Sequence, residues 1–212
     1  MKIRTVITAC LALLILPGVS AAQGIKGREI FGVRFGGIAS TMELDDAFGR
    51  GSELELYFVE GLTSWFGIGA SLSGHDFGNA KDKDRTIEWT GLADPVDVMV
   101  LSMTLTLYGR HPFGRRWSAA VESGGGLYTT TASIPTGIYY EGRITKNALG
   151  LFGGAGISYR LLDSGLAIDL AGKFHYVFSG SDGRQALYAF TDREAVHFYQ
   201  ITLGVTIFTG KR

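Results

Sequence analysis

Thiols are almost missing from this chain: Cys10 is the single cysteine among 212 residues. If Cys10 leaves with an N-terminal leader, the remainder can build no disulfide and no thiolate metal site. Net charge is missing too, since 20 Lys and Arg balance 20 Asp and Glu. Without a basic excess there is no electrostatic footprint for nucleic acid, which argues against that class of partner. Long hydrophobic runs are absent as well. Val6 to Leu16 comes closest with 11 residues, against the roughly 20 that a helix needs to cross a bilayer. Catalytic and nucleotide-binding motifs are lacking, and proline is scarce at 4 residues, whereas glycine reaches 31. Glycine without a period can signal disorder, but here it sits inside alternating segments, where it permits close strand approach and tight curvature.

What is present begins with a targeting segment. Lys2 and Arg4 form a basic start, Val6 to Leu16 an apolar stretch, Pro17 and Gly18 a helix break, and Ser20-Ala21-Ala22 a small-residue cleavage site. That order is the one expected of a secretory signal peptide. Residues 1–22 are therefore expected to be removed, leaving 23–212 as one domain that starts at Gln23. Ile7-Thr8-Ala9-Cys10 superficially matches a lipid-attachment site. The apolar core Leu11 to Leu16 follows the cysteine instead of preceding it, so Cys10 reads as an ordinary signal residue.

Beyond the leader, apolar positions alternate with small or polar ones in eight segments: Glu29 to Ala39, Ser52 to Leu62, Trp65 to Gly74, Val96 to Arg110, Trp117 to Thr130, Ala148 to Leu161, Leu166 to Phe178 and Ala195 to Thr209. In the last, Tyr199, Ile201, Leu203, Val205 and Ile207 share one parity, and Gln200, Thr202, Gly204 and Thr206 the other. Successive side chains of a strand point to opposite faces, so one face suits lipid and the other a packed polar interior. Each segment is near the ~9–11 residues that a tilted strand needs to cross a bilayer, with some extending beyond it. Thr63-Ser64, His111 to Arg116 and Leu162 to Gly165 are short connections; Ser40 to Gly51, His75 to Pro95, Thr131 to Asn147 and Ser179 to Glu194 are long. This alternation predicts an all-β, transmembrane, eight-stranded antiparallel up-and-down β-barrel with short periplasmic turns, long outer loops and both termini in the periplasm. A soluble sandwich or lipocalin would also alternate, but would turn its apolar positions inward and would not carry a charged interior. Phe66, Trp117 and Tyr159 beside short turns, and Tyr176, Phe178 and Tyr199 beside a long loop, fit the two aromatic belts of a membrane barrel.

The inward parity holds Arg34, Glu53, Glu55, Arg110, Glu122, Arg160, Asp169, Lys173 and His175, four fixed positive charges against four negative. Charges removed from water must pair, so a balanced set predicts a salt-bridge network. Pairing across the first hairpin sets Arg34 beside Glu55, while Glu122, Asp169, Arg110 and Arg160 are expected nearer the periplasmic half. Tyr57, Trp65, Tyr108 and Phe152 share this face and are expected to fill much of it. These charges read either as an ion path or gate, or as a plug that fixes register. The plug carries more weight, because eight strands enclose only enough room for side chains.

With its leader, eight strands, three tight turns, four long loops, charged lumen and closing segment YQITLGVTIF (Tyr199 to Phe208), the chain resembles the small outer-membrane β-barrel family that includes the OmpA transmembrane domain and the opacity-type surface proteins. The resemblance covers 23–212 by pattern, with no invariant motif. It implies a place in the cell outer membrane of a double-membraned bacterium, contact with outer-membrane lipids and lipopolysaccharide, and handling by the barrel-insertion machinery. Family members usually end on an aromatic that this machinery reads, whereas here Phe208 is followed by Thr209-Gly210-Lys211-Arg212. Either Phe208 serves despite the tail, or insertion is less typical. No peptidoglycan-binding domain follows, so the anchoring role of longer relatives is not carried over.

Outer-membrane barrels that act as enzymes place a histidine and a hydroxyl or carboxylate near the outer rim. His197, expected to face lipid there, has Asp192 and Glu194 upstream and Ser179 and Ser181 across the loop. Lipid A deacylases resemble this arrangement but carry a serine two positions after the histidine, where this chain has Tyr199; a base needs its nucleophile within hydrogen-bond reach. His197 therefore reads as an interfacial ring at headgroup depth. His75 and Asp76 open a long loop and lack the ligand count of a metal site. His175 reads as a lumen hydrogen-bonder, and Lys81 to Arg85 as a solvated loop face whose alternating charges could meet divalent-bridged lipopolysaccharide. No cofactor is expected. Trp89, Tyr139, Tyr140, Tyr188 and Phe190 give the loops aromatic anchors for an unnamed extracellular ligand, against the plainer reading that these rings pack on one another or in the lipid interface. The expectation is a non-enzymatic barrel with a largely closed lumen and a structural or surface-interaction role. A narrow small-solute channel and a lipid-modifying enzyme stand as alternatives.

Overall fold

Alternation at period two gives a strand one apolar and one polar face, and each of the eight alternating stretches forms one. The computed structural model describes residues 24–40, 50–79, 97–135, 141–162, 165–178 and 195–209. Its strands are β1 (Glu29–Ser40), β2 (Arg50–Gly61), β3 (Phe66–Asn79), β4 (Asp97–Pro112), β5 (Trp117–Pro135), β6 (Glu141–Arg160), β7 (Leu166–Phe178) and β8 (Ala195–Thr209). Each pairs antiparallel with the next, and β8 closes on β1 from Glu29↔Thr209 to Ser40↔Phe198. Closure leaves no unpaired edge. Lipid offers backbone N–H and C=O groups no partners, so this is the condition for crossing a bilayer with strands.

The two faces are inverted relative to a soluble protein. Phe35, Leu105, Leu149 and Ile201 are exposed by 64%, 74%, 67% and 67%, whereas Arg34, Glu55 and Asp169 are exposed by only 2%, 1% and 3%. So wide an apolar exterior has no stable place in water and matches a hydrocarbon solvent. Rings mark both rims of the apolar band. Trp117 lies 4.8 Å from Tyr159 at the turn end, and Tyr176 lies 5.1 Å from Phe178 at the loop end.

Several strands run further than the sequence pattern indicates. β5 and β6 stay paired up to Pro135↔Glu141, so most of the expected loop Thr131 to Asn147 is hairpin. A strand of 20 residues spans roughly 50 Å at ~3.3 Å per residue and ~40° tilt, about twice the ~25 Å apolar band. The outer face shows where that band ends: Leu127↔Leu149 is followed by Thr129, whose hydroxyl donates to Asn147 Oδ1 at 2.8 Å, and then by Thr131 beside Thr145. β3 likewise continues to Asn79 through a register shift between Asp76 and Gly78. This carries His75 out of its expected loop and into the lumen, where it is fully buried.

Trp65 departs in the opposite sense. Its parity matches the inward residues of β3, yet it is 55% exposed and packs on Phe66 at 5.9 Å. The reason is local. Thr63 Oγ1 accepts the N–H groups of Trp65 and Phe66 at 3.3 and 3.0 Å, and the Leu62 and Thr63 N–H groups both donate to Phe66 O. Trp65 therefore belongs to a tight turn, to which strand parity does not extend. The other two short connections contain Gly114 at φ 105° and Gly165 at φ 108°, backbone states that favour glycine.

Candidate functional site: the lumen

Inward side chains fill the lumen in three layers. The middle layer is ionic and centres on Arg34. Its Nε donates to Asp169 Oδ2 at 2.5 Å, its Nη1 to Glu55 Oε2 at 3.2 Å and Glu122 Oε2 at 3.1 Å, and its Nη2 to Glu122 Oε1 at 2.7 Å. Lys173 Nζ bridges Glu55 and Glu122, reaching the latter at 2.9 Å. Three carboxylates therefore share two cations. The Tyr57 ring lies 4.1 Å from the Arg34 guanidinium carbon, with its hydroxyl 2.6 Å from Thr206 Oγ1, and Thr206 in turn donates to Asp169. Planar bidentate pairing with Glu122 and a stacked ring fix the guanidinium in one pose.

β1 positions Arg34 opposite Glu55 through the register Arg34↔Glu55, and opposite Gly204 of β8. Glycine is required at that second point. A Cβ on Gly204 would stand 2.6 Å from Arg34 Cγ and 2.7 Å from Val33 O. Gly32 has the same function for Tyr57, whose ring occupies the space a Cβ would need.

Toward the loop end the lumen turns aromatic. His175 stacks on Phe198 at 4.5 Å, and His75 and Phe77 meet Phe198 edge-on at 4.9 and 5.4 Å. His175 Nε2 lies 2.7 Å from Gln200 Oε1, and Nδ1 lies 2.8 Å from the Tyr128 hydroxyl. A carbonyl oxygen only accepts, so Nε2 donates and Nδ1 accepts the tyrosine proton. Glu53 sits in this layer, 3.9 Å from His75 Nδ1 and without a hydrogen bond to either carboxylate oxygen. Toward the turn end the lumen is sealed by Ile25, Ile30, Val59, Tyr108, Ala120, Ala167 and Phe208. Ile25 is held there by its N–H, which donates to Ser64 O at 3.0 Å.

Of the nine residues expected to share one network, the structure joins five: Arg34, Glu55, Glu122, Asp169 and Lys173. Glu122 and Asp169 sit at mid-lumen with Arg34 and not with Arg110 and Arg160, which lie apart against Phe208. Strand tilt is the cause, because it brings inward residues of distant strands to one height. Glu53 and His175 lie in the aromatic layer. The spacing sets His75 at the start of a loop, marks Gln200 only as part of a polar face and does not single out Tyr128, although the inward parity of all three carries the signal. The polar void between the middle and loop-end layers, lined among others by Ser71, Ser73, Thr104 and Lys173, has no room for a whole water molecule. Outside the barrel, His197 is half-buried between Phe174 at 6.1 Å and Tyr176 at 4.8 Å. Trp89, Tyr139, Tyr140, Tyr188, Phe190, the charge run 81–85 and the leader 1–22 lie outside the described residues.

No protein-family model matches the chain, and no curated protein sequence does. Solved structures do. The Neisserial surface protein A is similar at a TM-score of 0.57 and 11% identity over 86% of this chain and 97% of that one. The fold is that of the small outer-membrane β-barrels. A major outer-membrane protein of Thermus thermophilus is as similar, at a TM-score of 0.57 and 12% identity over 85% and 99% of the two chains. Ail, the attachment invasion locus protein of Yersinia pestis, gives 0.51 and 12% over 87% and 99%. At such identities the likeness is one of fold alone.

Proposed function

We propose that this protein is a closed outer-membrane barrel of a double-membraned bacterium, a rigid scaffold with a structural or surface-interaction role through four extracellular loops, and not an enzyme. The observation that carries the reading is the filled lumen. Arg34 spans it to reach carboxylates on β2, β5 and β7, and apolar and aromatic layers cover that network on both sides. Eight strands leave space for side chains only, so a salt-bridged layer two cations deep blocks a water path. The long loops would meet outer-membrane lipid, lipopolysaccharide or an external ligand, with barrel-insertion machinery as the partner in assembly. Against catalysis, His197 stands between two rings on the lipid face with Tyr199 two positions on. Reconstitution into planar bilayers tests the scaffold directly, and the refolded protein should show no sustained conductance. Steady unitary steps in the parent would favour the narrow channel. Turnover of labelled lipopolysaccharide that is lost in His197→Ala would favour a lipid-modifying enzyme.

A further inference from the structure

At the turn end of the lumen two guanidinium groups share one aromatic platform, and among the described residues neither has a counter-charge. The Cζ atoms of Arg110 and Arg160 lie 4.1 and 5.9 Å from the Phe208 ring centroid. Arg110 is 4% exposed; its Nε and Nη2 donate to Ser118 Oγ at 2.9 and 2.8 Å, while Nη1 reaches no acceptor. Arg160 Nε and Nη2 are buried and equally without an acceptor. Among the described residues no carboxylate forms an ion pair with either arginine, and the acids of β1 and β2 at this end, Glu29 and Glu60, are on the outer face. The lumen's four positive and four negative charges therefore do not cancel locally. Two positive charges stand at the turn end, and the excess negative charge lies in the layers above.

The unmade hydrogen bonds define the partner. Nε and Nη2 form the edge of a guanidinium whose two parallel N–H groups grip two oxygens of one oxyanion. Arg110 Nη1, beside the same Phe208 ring, adds a third unmade donor. A carboxylate has only the two oxygens that the fork takes, whereas a phosphate group keeps further oxygens for a third donor. The surroundings have the right sign. Lys26, Arg28, Arg115 and Arg116 belong to the same end with Glu29 and Glu60, so the formal charge of its described residues is positive and favours an anion; the Arg160 N–H is bonded to Arg116 O at 2.8 Å.

We propose that Arg110 and Arg160 form a binding site for a phosphate group at the turn end of the lumen, supplied either as free phosphate or as the headgroup of a phospholipid in the adjoining leaflet. Arg160 grips two oxygens along its Nε–Nη2 edge, and Arg110 supplies a third hydrogen bond. The site does not depend on the closed-scaffold reading, since a conducting barrel would hold the same two arginines.

The test uses the full chain refolded in a neutral, phosphate-free detergent at near-physiological chloride. Binding of inorganic phosphate and of dihexanoyl phosphatidylglycerol is followed by calorimetry and by phosphorus NMR. Saturable binding of at least one probe is expected. Arg160→Gln should weaken it about tenfold or more, on the scale of losing one charge-assisted hydrogen bond. Arg160→Lys, which keeps the charge and loses the fork, should also weaken it; this variant carries the comparison if the glutamine variant does not refold. Similar affinity for both probes assigns the site to a free anion, and binding of the lipid alone assigns it to a headgroup. Asp163 lies outside the described residues but close to Arg160 in sequence, and Asp163→Asn should leave affinity unchanged. Absence of saturable binding by both probes overturns the proposal, as does undiminished binding in the folded Arg160 variants. A large gain on Asp163→Asn would do the same, because it would mean that a carboxylate already fills the fork.

Discussion

Arg34 ties its own strand to three others, since one guanidinium meets carboxylates from β2, β5 and β7. Arg34→Ala leaves Glu55 and Glu122 to Lys173 alone and deprives Asp169 of the cation it pairs with. Removing one member of a buried ionic cluster costs about 3–5 kcal/mol, most of it the penalty of the charges left behind. Urea unfolding from lipid vesicles should show a loss of that size. Replacing Glu55 together with Arg34 should recover only part of it, because Glu122 and Asp169 stay buried. Full recovery in the Arg34→Ala/Glu55→Ala double variant would mean that the arginine contributes through a single pair, contrary to its geometry.

At the scale of the strand, the outer face sets a depth limit that substitution can map. Val33 is 48% exposed within the apolar band, whereas Thr131 lies past the last apolar outward pair of β5 and β6. Val33→Arg should therefore cost roughly 2–4 kcal/mol and Thr131→Arg only about 0–1 kcal/mol in vesicle unfolding. Equal costs would place the membrane boundary elsewhere. The turns offer a second comparison. Gly114 and Gly165 have similar positive φ values, but a Cβ on Gly114 meets nothing within 4 Å, while on Gly165 it would stand 2.5 Å from Phe208 O. Gly114→Ala should cost about 1 kcal/mol of backbone strain, and Gly165→Ala should cost more, since the β7–β8 contact must also shift. The same unfolding measurement ranks the two variants.

For the whole molecule, closure and parity fix which side each connection faces. The turn rim carries Trp65, Phe113 and Trp117 with the short connections, and the long β5–β6 hairpin rises from the opposite rim. If the long loops face outward, protease added to intact cells should cut within 81–85 or 184–193 and spare the bond between Arg115 and Arg116. Cleavage at that bond with both long loops protected would invert the orientation.

Strand number, the lipid and lumen faces, and the alternation of turns with loops were legible in the sequence, because each follows from a period of two and from local turn chemistry. Phe35, Leu105 and Ile201 could be assigned outward, and Arg34, Glu55 and Lys173 inward, without knowing any neighbour. The register Arg34↔Glu55 was legible for the same reason, since one hairpin fixes it. What parity cannot give is height. The heights of Asp169, 135 residues from Arg34 in sequence, and of Glu122 depend on the tilt and stagger accumulated around the closed ladder, which no single segment encodes. Only the tertiary structure therefore decided that Glu122 and Asp169 meet Arg34, that Arg110 and Arg160 stand together with no carboxylate paired to them among the described residues, and that β3 runs on far enough to bury His75. Trp65 obeyed its turn for the converse reason: hydrogen bonds to Thr63 outweigh parity where a strand has not yet begun.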